Sequence, residues 1–196
     1  MLSELQINHT TTHRMSVSQQ AIDREWEEIQ AAQRNPARFR PLYERYYEPI
    51  FRYIYRRTAE EPLTADICSQ VFLKAMQKLG GYSYKGVPFS AWLYRIASNE
   101  VTQHYRNAQK QRVVSIQEGR LEEMAEEMDE FDYQVHRNAL LGALDKLQQK
   151  DVEIIELRFF EQRSFREVAN ILNITENNAK VRTYRVLDKL KKLIVK

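Results

Sequence analysis

Apolar positions recur at helical spacing along most of this chain. The clearest case is Ser164–Arg185, where Phe165, Val168, Ala169, Ile171 and Leu172 make one stripe. Ser164 and Glu167 fit a capping box that opens this helix, and Asn173 fits the left-handed residue that ends it. Thr175 can cap a second helix with Ala179, Thr183, Val186, Leu187 and Leu190 on its inner side, while Lys180, Tyr184 and Arg185 lie away from it. Two short helices, a tight turn and basic residues on the second predict a helix-turn-helix. The same pattern also describes a plain helical hairpin with a solvated basic face.

Earlier segments follow the same period. A helix starting near Ala21 carries Ile22, Trp26 and Ile29, and either covers the next domain or frays. Phe39, Leu42, Tyr43, Tyr46, Ile50, Tyr53 and Ile54 predict an amphipathic helix that Pro49 interrupts, with Arg38, Arg45, Arg52, Arg56 and Arg57 off its core face. From Thr64 to Leu79, Ile67, Val71, Ala75 and Leu79 bury. Asp66, Gln70, Leu73 and Gln77 form a separate stripe. A Leu on that polar side fits either a partner-binding face or a tuck against a neighbouring helix.

Gly80-Gly81 ends this helix, and Tyr82–Val87 is an aromatic-rich loop before Pro88 opens the next one. In that helix Phe89, Leu93, Ile96, Ala97 and Val101 face a core, and Trp92, Arg95, Asn99, Thr102 and Arg106 share another stripe. Alternating aromatic, basic and amide groups suit single-stranded nucleic acid, because rings stack on bases, guanidinium groups meet phosphates and amides read base edges. The plainer alternative puts Trp92 in the core and leaves the rest solvated. Residues 134–160 add two helices, the second capped by Asp151. The chain is therefore expected to be all-α.

Charge changes the picture. The formal net charge is only +3, but residues 36–112 hold 13 basic against 6 acidic side chains, a net of +7. Residues 134–196 hold 13 against 8, a net of +5, and residues 113–133 hold 1 against 8, a net of −7. Two basic blocks flank an acidic connector, as two polyanion-binding surfaces would require. The expected organisation is a partly disordered extension over 1–35, a helical bundle over 36–112, the linker over 113–133 and the helix-turn-helix domain over 134–196. Within the linker, Met124 and Met128 are spaced as in a helical turn.

Other chemistry finds little support. Cys68 is the single cysteine, and His9, His13, His104 and His136 lack ligand spacing, so no metal or cofactor is expected. No run of about 18 apolar residues and no signal-peptide core occur, which leads to a cytoplasmic expectation. An enzyme acting on nucleic acid would need a convergent carboxylate or nucleophile–base set, and none is visible. A one-component regulator pairing a sensing domain with the helix-turn-helix remains the main rival. It would not need Trp92 or Tyr82–Lys85 for DNA binding.

The order of pieces resembles bacterial sigma factors of the extracytoplasmic-function (ECF) group. The likeness rests on LYERYYEPIFRYI (Leu42–Ile54), ADICSQVFLKAM (Ala65–Met76), PFSAWLYRIASNEVTQHYR (Pro88–Arg106) and LRFFEQRSFREVANILNITENNAKVRTYRVLDKL (Leu157–Leu190). It implies that Asp66, Gln70, Leu73 and Gln77 dock on core RNA polymerase. It implies that Tyr82, Tyr84 and Lys85, with Trp92, Arg95, Asn99, Thr102 and Arg106, hold the melted non-template strand of the −10 element and the adjoining duplex. Lys180, Val181, Arg182, Tyr184 and Arg185 would enter the major groove at the −35 element, with Arg163, Ser164 and Arg166 near phosphates. Promoter DNA, core polymerase and an anti-sigma factor are the implied partners. Asn177 and Asn178 replace the small residue and Thr common at the start of the recognition helix, which suggests a different −35 preference.

Overall fold

A computed structural model describes residues 19–108 and 133–194, with Leu121, Met124, Ala125 and Met128 between them. Residues 1–18 of the extension expected over 1–35, and most of the acidic linker, lie outside the described residues. The described elements are α-helical: α1 Gln19–Arg34, α2 Arg40–Thr58, α3 Glu61–Lys78, α4 Phe89–Ala108, α5 Tyr133–Leu144, α6 Gln149–Ile155, α7 Phe165–Leu172 and α8 Glu176–Ile194. Short 3-10 turns precede α2 and follow α3, and α6 continues as a π-helical turn over Glu156–Phe160. No described helix is long and apolar enough to cross a membrane.

Local chemistry sets the helix ends. Asn35 accepts a hydrogen bond from the Ala37 amide at 3.0 Å and starts the turn into α2. Ala59 closes α2 in the left-handed conformation, its N–H donating to the Tyr55 carbonyl at 2.8 Å. α2 remains one helix through Pro49. The interruption expected there does not occur, because Leu42, Ile50, Tyr53 and Ile54, buried on both sides of the proline, hold it against α3 and α4.

α2, α3 and α4 form the first bundle, with α1 laid across the 3-10 turns at its edge. Most positions of the apolar stripes read from the sequence are buried, with Tyr43 exposed and Trp26, Tyr46, Phe165 and Leu172 half-buried, and Cys68, Phe72 and Tyr94 join the core. In the second half α8 packs against α5, α6 and α7. Leu121, Met124, Ala125 and Met128 are buried too, so apolar side chains of the acidic stretch reach the core. The two halves touch directly, α4 lying against α7.

Two sequence expectations need correction. Asp151 does not cap α6. The helix starts at Gln149, and the Asp151 carboxylate in its first turn pairs with Lys189 Nζ at 3.0 Å. Arg57 does not lie off the core face of α2: its side chain is 1% exposed. A partner from the other half of the chain draws it inward.

Candidate nucleic-acid interface

α7 and α8 form the helix-turn-helix. Ser164 Oγ accepts from the Glu167 amide at 3.1 Å, and a Glu167 carboxylate oxygen accepts from the Ser164 amide at 2.9 Å, which completes the capping box. Asn173 stands at φ 55°, and Thr175 Oγ1 accepts from the Asn178 amide at 3.2 Å to open α8. Ala179 is fully buried where the helices cross, and Thr183 satisfies its hydroxyl on the Ala179 carbonyl at 2.9 Å. The inner side of α8 is thus fixed, and Lys180, Val181, Tyr184 and Arg185 project to solvent. Arg182 is half-buried and reaches the Lys150 carbonyl at 3.4 Å.

Burial alone would raise the Glu167 carboxyl pKa. The hydrogen bonds from Ser164 and the charge of Arg163 outweigh that and hold it below the ordinary carboxylate value. A depressed carboxyl contributes stability above its unfolded pKa and loses it as pH falls through its folded one. The helix-turn-helix is therefore expected to weaken in acid below about pH 4. Ser164→Ala should remove about 1 kcal/mol of stability at neutral pH and flatten that acid dependence. Urea unfolding at several pH values measures both.

In the first bundle, Asp66, Gln70, Leu73 and Gln77 all lie exposed on one side of α3. Leu73 is 50% exposed and Met76 beside it 44%, so Leu73 is not tucked against a neighbour.

The loop after α3 and the start of α4 enclose a cavity of about 170 Å³. Tyr82, Lys85 and Val87 line it from the loop, Trp92 and Arg95 from α4, and Asn170 of α7 closes one side. Trp92 is half-buried, its ring 4.9 Å from Tyr82 and 5.3 Å from Phe89. Burial, then the nearby Glu25 carboxylate, pushes the Tyr82 phenol up to about 12. Tyr84, Asn99, Thr102 and Arg106 are exposed along the same side. Gly86 has φ 71°, and a Cβ there would collide with the Arg166 guanidinium. The left-handed backbone is what requires glycine here, since the exposed Arg166 side chain could swing aside.

The contact between the halves is polar and largely buried. Arg57 of α2 pairs with Glu156 at 2.5 Å, both nearly inaccessible, and its guanidinium lies 3.5 Å from the Tyr53 ring centroid. Glu161 accepts from Arg56 and from the Tyr94 hydroxyl, each at 2.6 Å. Ser98 bonds Glu153 across the contact, and within the first half Tyr105 donates to the Arg57 carbonyl. Arg163, expected near phosphate, instead donates to Ser90 at 3.0 Å and lies over the Tyr94 ring at 4.2 Å. Arg95 reaches Asn173 at 3.2 Å, and Arg166 is exposed above Gly86. The sequence reading missed this contact, although Ser90, Tyr94 and Ser98 repeat every four residues on α4 as a second stripe. Among the described residues no acidic, His or Cys cluster could hold a metal ion.

Comparison with known proteins places this architecture. The family model of sigma-70 region 2 matches residues 42–111 and that of sigma-70 region 4 matches residues 143–192. Over 187 residues, 93% of this chain and 70% of the relative, it is 31% identical to the ECF RNA polymerase sigma factor BldN of Streptomyces coelicolor. It is 28% identical to the RNA polymerase sigma factor YlaC of Bacillus subtilis over 159 residues, 79% of this chain and 91% of that one. The fold matches CnrH, solved in complex with the cytosolic domain of CnrY, with a TM-score of 0.59 at 23% identity, over 86% of this chain and 96% of that one. The chain belongs to the ECF sigma factors of the sigma-70 family. Its function is to give bacterial RNA polymerase its promoter specificity, recognising −35 and −10 elements and promoting melting for initiation.

Proposed function

We propose a division of this work among the residues described above. The observation that carries it is the cavity between the Tyr82–Val87 loop and the Trp92–Arg95 side of α4. It combines stacking rings, two cations and an open mouth, which suits one unstacked base of the non-template strand. Tyr84, Lys85, Asn99, Thr102 and Arg106 continue the track for the flanking backbone. Lys180, Val181, Arg182, Tyr184 and Arg185 read the −35 major groove, with Ser164 and Arg166 near its phosphates. The protein carries out no bond chemistry of its own and works in the cytoplasm with core polymerase.

Asp66, Gln70, Leu73 and Gln77 dock on core polymerase. Leu73→Asp should weaken core binding at least about tenfold, as loss of an apolar anchor does. Thermal stability should barely move, because the side chain is half-exposed in the free protein. Fluorescence titration of core polymerase together with a melting curve tests both parts. An anti-sigma factor would cover the same exposed faces.

The halves must part when both promoter elements are engaged. Those elements lie about 25 base pairs apart, or about 85 Å at 3.4 Å per pair. In the closed arrangement α7 touches α4, and α8, at 1.5 Å per residue, is only about 30 Å long. Arg163 and Arg95, now facing the opposite half, are freed for DNA in the same step.

Run-off transcription with core polymerase from the protein's host, on a library of promoter fragments, tests the reading. Specific initiation supports it. Tight binding to duplex operators with no effect on polymerase would favour the one-component regulator instead.

A further inference from the structure

The match to sigma-70 region 2 begins at residue 42, so α1 lies outside it. Yet α1 holds the loop before α4 at three points. At the start of the loop, Gln33 Nε2 donates to the Leu79 carbonyl at 2.9 Å and the Tyr82 carbonyl at 2.8 Å. At its end, Glu25 accepts from the Phe89 amide at 3.2 Å, satisfying one free N–H at the start of α4. On its flank, the Trp26 ring lies 6.2 Å from Tyr82 and 6.4 Å from Tyr84.

Each bond is specific in direction. The Gln33 amide has two N–H groups: one goes to the Tyr82 carbonyl and the other to the Leu79 carbonyl, which also accepts from the Tyr82 amide at 2.9 Å, so Gln33 locks the turn that opens the loop. Glu25 is itself fixed by the Tyr46 hydroxyl and lies near Arg45, so it cannot swing away freely. Burial of Ile29 and Ala32 anchors the helix beneath these contacts. A cover that only excluded water would not need polar groups aimed at both ends of one loop.

We propose that α1 is a working part of the promoter-melting site, with Trp26, Gln33 and Glu25 as positioning residues that pre-set the loop for the captured base. This rests on the base-capture reading of the cavity given above. Without α1 the loop would have to be ordered by the DNA itself, and that ordering would oppose capture.

The test uses the full chain with its host core polymerase, on a promoter fragment selected with the wild-type protein and carrying 2-aminopurine at the −10 element. Trp26→Ala and Gln33→Leu should each reduce the rate of opening about tenfold, in line with the loss of an aromatic pair or two hydrogen bonds. Affinity for core polymerase and for −35 duplex should stay at wild-type values, and Trp26→Phe should recover most of the rate. Trp92→Ala is measured alongside. If both α1 variants open the promoter at the wild-type rate while Trp92→Ala does not, α1 is only a cover and base capture stands. If Trp92→Ala is also silent, the cavity is not the melting site and both readings fall. Parallel loss of core and duplex binding, unrelieved by Trp26→Phe, would mark a folding defect and also overturn the inference.

Discussion

Arg57→Ala is expected to cost about 3–5 kcal/mol of stability, the range for breaking one side of a buried ion pair. The Arg57 guanidinium is 1% exposed, meets Glu156 at 2.5 Å and rests on the Tyr53 ring. Its removal takes the Arg57 charge away from the buried Glu156 carboxylate and opens a void beside Tyr53. Glu156→Ala should cost a similar amount. The double variant should cost clearly less than the sum, since both single deletions remove the same interaction. Urea unfolding of the four proteins gives the cycle, and strict additivity would show that the pair contributes nothing as a pair.

The same pair also bears on function, because its members come from opposite halves. When the halves part, both charges regain water, so separation costs less than it would for a contact of equal area made of leucines. Arg57→Met with Glu156→Leu should therefore be about as stable as wild type, or more so. It should nonetheless initiate transcription less well, because its apolar contact resists opening.

What the sequence made legible follows from where information is local. The Ser164–Glu167 capping box, the left-handed Asn173 and the inner stripe of α8 each depend on neighbours within about four residues, and periodicity reports these directly. The Asp66–Gln77 stripe was legible for the same reason, although whether Leu73 stood exposed or tucked against a neighbour stayed open. Arg57 with Glu156, Glu161 with Tyr94, and Arg163 over Tyr94 were not, since each joins residues far apart in the chain. A charge run reads as solvated face unless its partner is known. The role of α1 was open to either reading, cover or frayed end. Ile29 showed the buried face, but nothing periodic marks Gln33 as a clamp on two distant carbonyls.

Trp92→Ala should lower open-complex formation about ten- to a hundredfold, which corresponds to the roughly 1–3 kcal/mol that stacking one base on an aromatic side chain provides. Its ring is held by Tyr82 and Phe89 on one side and lines the cavity on the other. Trp92→Phe keeps a stacking surface and should recover part of the loss. Comparing an intact promoter with one already unpaired across the −10 element separates two ways in which Trp92 could act. If it captures a base after spontaneous unpairing, Trp92→Ala still loses affinity for the unpaired template, by the stacking energy alone. If it acts as a wedge that unstacks the duplex, the defect should vanish once the strands are already apart. The first outcome is expected, because a side chain seated against two rings inside a cavity is placed to receive a base and has little of its surface free to insert between base pairs.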